Sequence, residues 1–213
     1  MKRVLAVVTA FFSLVPAAYS QGYAGAVYSF TNVDFGCPSA GGCDKSAKGW
    51  KFYGGAALSP KNTVDFGFGK IGAFEVSYFQ FGRARTKDAT ATEVYYDADN
   101  TGLNATRVVP AQYSADTNAL SVALVAKIPL VDQVAFSVKA GAAYVTSTYR
   151  TEVNGQSRGS ESASKLKPYL GLGVEYDIPD LIKLIGTFDI TKFDVAGHKG
   201  NASMVGLGAE KAF

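Results

Sequence analysis

Histidine and cysteine are nearly absent, with one His and two Cys in 213 residues. A metal site built from several imidazole or thiolate ligands has little to draw on, and no cofactor is called for. Charge is sparse at 18%, the net charge is +3, and no basic block occurs, so a nucleic-acid footprint is excluded. Beyond the first twenty residues no stretch is long and apolar enough for a transmembrane helix. What is present is 47% hydrophobic residues, 23 Gly, 12 Tyr and 14 Phe. That composition is neither disordered nor collagen-like, and the length suits one domain.

The N-terminus carries Lys2 and Arg3, an apolar run from Val4 to Val15, a break at Pro16 and then Ala18-Tyr19-Ser20. Small residues stand at the positions a signal peptidase reads. Residues 1–20 are expected to be a cleaved signal peptide and 21–213 the mature domain. The run is short for ~30 Å of hydrocarbon, and no Cys follows it to take a lipid anchor. Losing Lys2 and Arg3 brings the net charge from +3 to +1. Export also argues against a cytoplasmic enzyme.

The remaining chain alternates with period two. Trp50, Phe52, Gly54, Ala56 and Leu58 oppose Lys51, Tyr53, Gly55 and Ala57. Phe74, Val76 and Tyr78 oppose Ala73, Glu75 and Ser77. The same reading holds for Leu120–Ile128, Val134–Tyr144, Leu166–Tyr176, Leu184–Thr191 and Val205–Phe213. With Tyr23–Thr31, whose small residues leave its register open, this gives eight strands. One face is apolar and the other is small or charged. Small and charged residues suit the tight interior of an eight-stranded barrel, and the apolar face suits lipid.

Long and short connections alternate. Asn32–Lys48, Gly82–Asp116, Tyr149–Ala163 and Phe193–Gly200 are the long set; Pro129–Gln133 and Asp177–Leu181 are short. Ser59–Gly72 departs from this, and alternation within Thr63–Phe68 predicts an early strand start or a bulge at Gly69 or Gly72. The expectation is an all-β, eight-stranded antiparallel up-and-down transmembrane β-barrel. It has long extracellular loops and shorter periplasmic turns.

The run GWKFYGGAAL then AFEVSYFQFG resembles the second and third strands of OmpA-like small outer-membrane barrels. SVALVAKIPL and VAFSVKAGAAY resemble their fourth and fifth, and KPYLGLGVEYDI their sixth. The resemblance implies residence in the outer membrane of a Gram-negative bacterium, among lipid and lipopolysaccharide. It also implies a terminal Phe213 read by the barrel-assembly machinery, and a charge network inside the barrel. Glu75, Lys127, Lys139 and Glu175 match that network by motif position; Lys51 and Asp189 face the same way and join it. All six lie on the non-lipid face by counting alone, and charges in a narrow lumen must pair. The family usually has an Arg near Thr187, which this chain lacks, and Lys211 stands where an aromatic is common. Larger relatives append a peptidoglycan-binding domain; none is expected here.

Cys37 and Cys43 share the first long loop, and an oxidising compartment makes a disulfide the expected state, with two free thiols as the alternative. Asp97-Ala98-Asp99-Asn100-Thr101-Gly102 matches half an EF-hand loop, but Val108 stands where that loop needs Glu, so an acidic surface turn is expected. Tyr95, Tyr96, Tyr113 and Tyr149 are expected in the outer aromatic girdle, and His198 in a solvated loop. No nucleophile is paired with that lone His, so no enzyme is expected. Three readings remain: a structural envelope barrel with at most a narrow gated pore; a surface adhesin or receptor acting through the 82–116 loop on an extracellular partner; and a soluble periplasmic lipocalin-like ligand-binding barrel. The last requires apolar residues inside and charged ones outside.

Overall fold

Alternating residues extend into strands because one face of each has an apolar surrounding to meet and the other does not. The computed structural model describes residues 22–34, 42–58, 63–67, 69–87, 89–96, 104–179 and 181–213. The expected signal peptide, Cys37 and the Asp97–Gly102 turn lie outside them. The strands are β1 (Gly22–Val33), β2 (Gly42–Asp44), β3 (Ser46–Ala57), β4 (Val64–Asp65), β5 (Lys70–Lys87), β6 (Ala89–Tyr96), β7 (Asn104–Val131), β8 (Val134–Val153), β9 (Gln156–Ile178), β10 (Ile182–Val195) and β11 (His198–Ala212).

Eight of these close a ring. The hydrogen-bonded order runs β5-β3-β1-β11-β10-β9-β8-β7, and β7 pairs back onto β5. Every pairing is antiparallel between chain neighbours, apart from the closure of β1 on β11, where Tyr23 stands opposite Ala212. The fold is therefore an eight-stranded up-and-down barrel with no free edge around its waist.

The wall is apolar outside and polar inside. Leu207 and Leu166 are 76% and 71% exposed, while Lys51 and Glu75 are 0% and 1% exposed. This is the reverse of a lipocalin, and it removes the soluble ligand-binding reading. Along β9 the outward apolar row runs from Leu166 to Tyr176. At ~3.3 Å per residue and a tilt near 40° that spans about 25 Å, the height of a lipid-facing band. Above it the outward residues turn polar, as at Gln80, Asn118, Thr146, Ser164 and Lys192. Tyr28, Phe30 and Trp50 ring that upper border, with Tyr28 and Trp50 packed edge to face at 4.8 Å.

The register of β1 is settled by its neighbours. Val27, Ser29 and Thr31 are buried, and Tyr28 and Phe30 face out. The Ser59–Gly72 connection holds β4, which folds back on β5, and the ladder between β5 and β7 slips at Gly72.

The connections read as long loops differ in kind from that reading. Most of Gly82–Asp116 is strand: β5 continues to Lys87, β6 follows, and β7 pairs with both. Tyr149–Ala163 is a continuous hairpin, turned at Asn154 and Gly155 with φ of 52° and 73°. Phe193–Gly200 is likewise a hairpin, turned at Ala196 and Gly197 with φ of 52° and 76°. Both are the tight turns whose twist matches that of the strands. The barrel thus projects a stiff sheet beyond its apolar band.

Candidate functional site

Four side chains from four staves meet inside the barrel. Lys139 on β8 places Nζ 2.8 and 2.6 Å from the two carboxylate oxygens of Glu75 on β5. Lys51 on β3 places Nζ 2.9 Å from Asp189 Oδ1 on β10 and 3.6 Å from Glu75 Oε1. Glu75 thereby bridges the two lysines. Each of the four is nearly or fully buried, so each charge depends on its partners for the solvation it has lost.

Hydroxyls complete the cluster. Ser77 donates to Glu75 Oε1 at 2.9 Å, and Tyr23 donates to Oε2 at 3.4 Å. The Tyr169 hydroxyl donates to Asp189 Oδ1. Gly171 makes room for that contact, because a Cβ there would lie 2.7 Å from the Tyr169 oxygen and 2.8 Å from Asp189 Oδ1. Aromatic faces flank the amines: Lys51 Nζ is 5.0 Å from the Phe79 ring centre, and Lys139 Nζ is 4.8 Å from that of Tyr53. Asp189 Oδ2 and Thr187 Oγ1 are buried with no hydrogen-bond partner among the described residues. They lie two residues apart on β10.

Lys127 and Glu175 form a separate pair at 2.7 Å, nearer the end where the chain termini lie and less buried. Glu210 on β11 is buried beside them and takes a hydrogen bond from Tyr53 at 3.0 Å. Tyr23, Tyr53, Tyr169 and Glu210 were not anticipated as members of this site.

Apolar side chains close the lumen on both sides of the charges. Val33, Phe79, Phe81, Phe193, Val195 and Met204 pack in one buried cluster. Tyr23, Val27, Tyr53, Val125 and Ile185 form a second. Phe79 stacks on Phe81 at 5.7 Å and packs against Tyr169 at 5.4 Å.

The outer mouth corrects two expectations. Tyr113 and Tyr149 are not girdle residues: they stack on each other at 6.2 Å and face the inside of the projecting sheet. His198 begins β11 and stacks on Tyr149 at 4.9 Å, so it is no free loop residue. The side chains of Tyr95, Tyr96 and Cys43 lie outside the described residues. At the opposite end Phe213 is 71% exposed, and its backbone exchanges hydrogen bonds of 2.9 and 3.1 Å with Gly22.

The model of the outer membrane protein beta-barrel domain matches residues 4–213. This chain belongs to that family. Family membership and the inside-out wall together make it an outer-membrane β-barrel. No curated protein matches it in sequence. Among solved barrels it is similar to the attachment invasion locus protein Ail of Yersinia pestis, solved with the heparin analogue sucrose octasulfate. The identity is 13%, with 90% of this chain and 99% of that one covered and a TM-score of 0.46. It is also similar to Neisserial surface protein A, at 12% identity, 91% and 96% coverage and a TM-score of 0.40.

Proposed function

We propose that this barrel is a closed structural element of the outer membrane of a Gram-negative bacterium. It contributes to envelope integrity and carries a rigid sheet to the cell surface. The filled lumen carries this reading: Phe79, Phe81, Phe193 and Met204 are each at most 1% exposed and lie over the ion pairs. Eight strands leave room for side chains rather than for a water column. An apolar plug beside a neutralised charge cluster offers an ion no hydrated path. Purified protein in a planar bilayer is expected to give no resolved current steps while still changing mobility on boiling in SDS. Regular steps abolished by Lys51→Met would overturn the closed reading and restore a narrow gated pore.

The six charged residues Lys51, Glu75, Lys127, Lys139, Glu175 and Asp189 act in this reading as the internal brace of the barrel. Cleavage after Ser20, delivery by the assembly machinery through Phe213, and a disulfide between Cys37 and Cys43 belong to the same proposal. Intact-mass measurement tests two of these at once. The mature mass is expected to lack residues 1–20, and reduction is expected to add two hydrogens.

A second reading draws on the projection itself. Beyond the apolar band, β5, β6 and β7 present Arg83, Arg85, Val94 and Val108 to the surroundings. A surface receptor acting through residues 82–116 uses that sheet. Replacing 82–116 by a short turn is expected to abolish partner capture and leave heat-modifiability intact. Equal capture by the shortened barrel would exclude this route.

A further inference from the structure

One carboxylate in the lumen is served on one side only. Asp189 Oδ1 takes the Lys51 ammonium at 2.9 Å and the Tyr169 hydroxyl. Its twin Oδ2 is buried and takes no hydrogen bond among the described residues, and the same holds for Thr187 Oγ1. Asp189 and Thr187 are 1% and 6% exposed. A buried carboxylate oxygen carries its full desolvation penalty unless a donor meets it.

Thr187 and Asp189 are alternate residues of β10, so both point into the barrel and stand ~6.6 Å apart along the strand. On the β9 side each meets a glycine, Gly173 opposite Thr187 and Gly171 opposite Asp189. The Tyr169 oxygen takes the space over Gly171. Over Gly173 the nearest side chain is Ser137 of β8, whose Oγ is 2.5 Å from where a Cβ would stand. Ser137 faces Gly173 from its other flank and is 1% exposed. Its hydroxyl therefore leans across the glycine toward β10. Three buried oxygens, from two strands that do not pair in the ring, converge there: Asp189 Oδ2, Thr187 Oγ1 and Ser137 Oγ.

Charge and size define what meets them. Lys51 and Lys139 balance Glu75 and Asp189, so a cation would leave the cluster with a net charge. Apolar clusters on both sides leave no passage for a bulky molecule. Water is neutral, small and able both to donate and to accept. Two hydrogen bonds of ~2.8 Å through one oxygen span the step between alternate residues whose side chains lean together. A buried water needs about two to four polar partners, and these oxygens supply them.

We infer that the barrel binds one water molecule between Asp189, Thr187 and Ser137. The water donates to Asp189 Oδ2 and to one hydroxyl oxygen, and accepts from the other hydroxyl. It ties β10 to β8 across Gly173. Ser137 stands opposite Lys127 in the ladder between β7 and β8, and Gly173 lies two residues from Glu175. The site is thus where the four-charge cluster approaches the Lys127–Glu175 pair. The inference rests on the closed-lumen reading, and current steps in a planar bilayer report the failure of that reading separately.

The test uses the full mature barrel in lipid nanodiscs, with protonated glycine in a deuterated background, and reads water contacts by NMR. A cross-peak between water and the Gly173 Hα is expected, with the sign that marks a long-lived contact. It is expected to persist in Ser137→Ala, which keeps two partners, and to vanish in Ser137→Ala with Thr187→Val. No cross-peak in wild type overturns the site. Loss in Ser137→Ala alone overturns it too, because the signal then comes from the serine hydroxyl, and so does survival in the double variant.

Stability supplies a second reading with a definite sign. Without the water, Thr187→Val removes a buried hydroxyl that has no bond to lose, and the urea midpoint rises or stays. With the water bound, Thr187→Val is expected to lower the midpoint and Thr187→Ser to keep it. A Thr187→Val midpoint at or above wild type overturns the site. The wild-type midpoint is expected to be equal in sodium chloride and choline chloride at one ionic strength, and a rise specific to sodium overturns the water in favour of an ion. The salt comparison and the wild-type cross-peak need no variant and hold the test should valine prevent assembly.

Discussion

Lys139 grips both carboxylate oxygens of Glu75 across the lumen, at 2.6 and 2.8 Å. The two residues are 64 positions apart and sit on β8 and β5, with β7 between them in the ring. The contact therefore fixes strands that do not pair directly. Removing one partner leaves the other buried and uncompensated, which costs about 3–5 kcal/mol, whereas removing both costs far less. Glu75→Gln and Lys139→Met are each expected to lower the urea midpoint of the barrel in lipid vesicles. The double variant is expected to be more stable than either single one. Additive losses would show that the pair is not coupled.

Legibility in the sequence follows what each face of a strand meets. From Leu166 to Tyr176 every second residue meets lipid and its neighbours meet the lumen, so alternation reads cleanly. Beyond the apolar band the outer face of β6 and β7 meets water and carries polar and apolar residues alike, while the inner face buries mostly small residues such as Ala89, Val109 and Ala111, so alternation in hydropathy fades. That is why Ala89–Tyr96 and Asn104–Asp116 read as loop. Alternation assigns Lys51, Glu75, Lys139 and Asp189 to one face, but which acid meets which base depends on stagger between strands. The tyrosines of the site have a fainter signal. Tyr23 stands opposite Gly55 and Tyr53 opposite Gly25, and each glycine leaves the space the ring occupies: a Cβ would fall 2.2 or 2.3 Å from it. A lumen-facing tyrosine across from a glycine is a pattern that identifies an inward ring.

Glu93 is the clasp of the projecting sheet. Arg107 holds it at 2.9 Å from the facing position on β7, and Arg158 reaches it from β9. Hydrogen bonding from Arg107 foremost, with the charge of Arg158 added, holds the Glu93 carboxyl below its usual range. A carboxylate lowered in the folded state stabilises above its unfolded pKa, and that stabilisation is lost as pH falls through the folded value. The clasp is therefore expected to hold through the ordinary carboxylate range, near pH ~4.3, and to open only below it. Hydrogen exchange of the β6 and β9 amides is expected to rise at that lower pH in wild type. In Glu93→Gln it is expected to be raised at neutral pH already.

Ala196 pays a strain that its counterpart turn avoids. Both projecting hairpins turn through two residues with positive φ, but one uses Asn154 and Gly155 and the other Ala196 and Gly197. Asn tolerates the left-handed region where alanine does not. Ala196→Asn is expected to raise barrel stability by about 0.5–1 kcal/mol, read as a higher temperature for the loss of the unheated band. Asn154→Ala is expected to lower it by a similar amount. Opposite signs at the two turns would be absent if the turn conformation did not matter.

Phe213 separates assembly from stability. Its side chain is 71% exposed, so deleting the ring removes little that the folded barrel buries. Its backbone is another matter, since the Phe213 N–H donates to Gly22 O at 2.9 Å and the Gly22 N–H to Phe213 O at 3.1 Å, closing the last rung between β1 and β11. Phe213→Ala keeps that rung and loses the ring; deletion of residue 213 loses both. If the ring serves recognition during insertion, Phe213→Ala lowers the amount of heat-modifiable protein in cells several-fold, while the refolded variant melts within a degree or two of wild type. Deletion is expected to lower both. A Phe213→Ala variant that inserts normally but melts early would place the ring in the folded wall instead, packed against Gly22, where a Cβ would fall 2.7 Å from its edge.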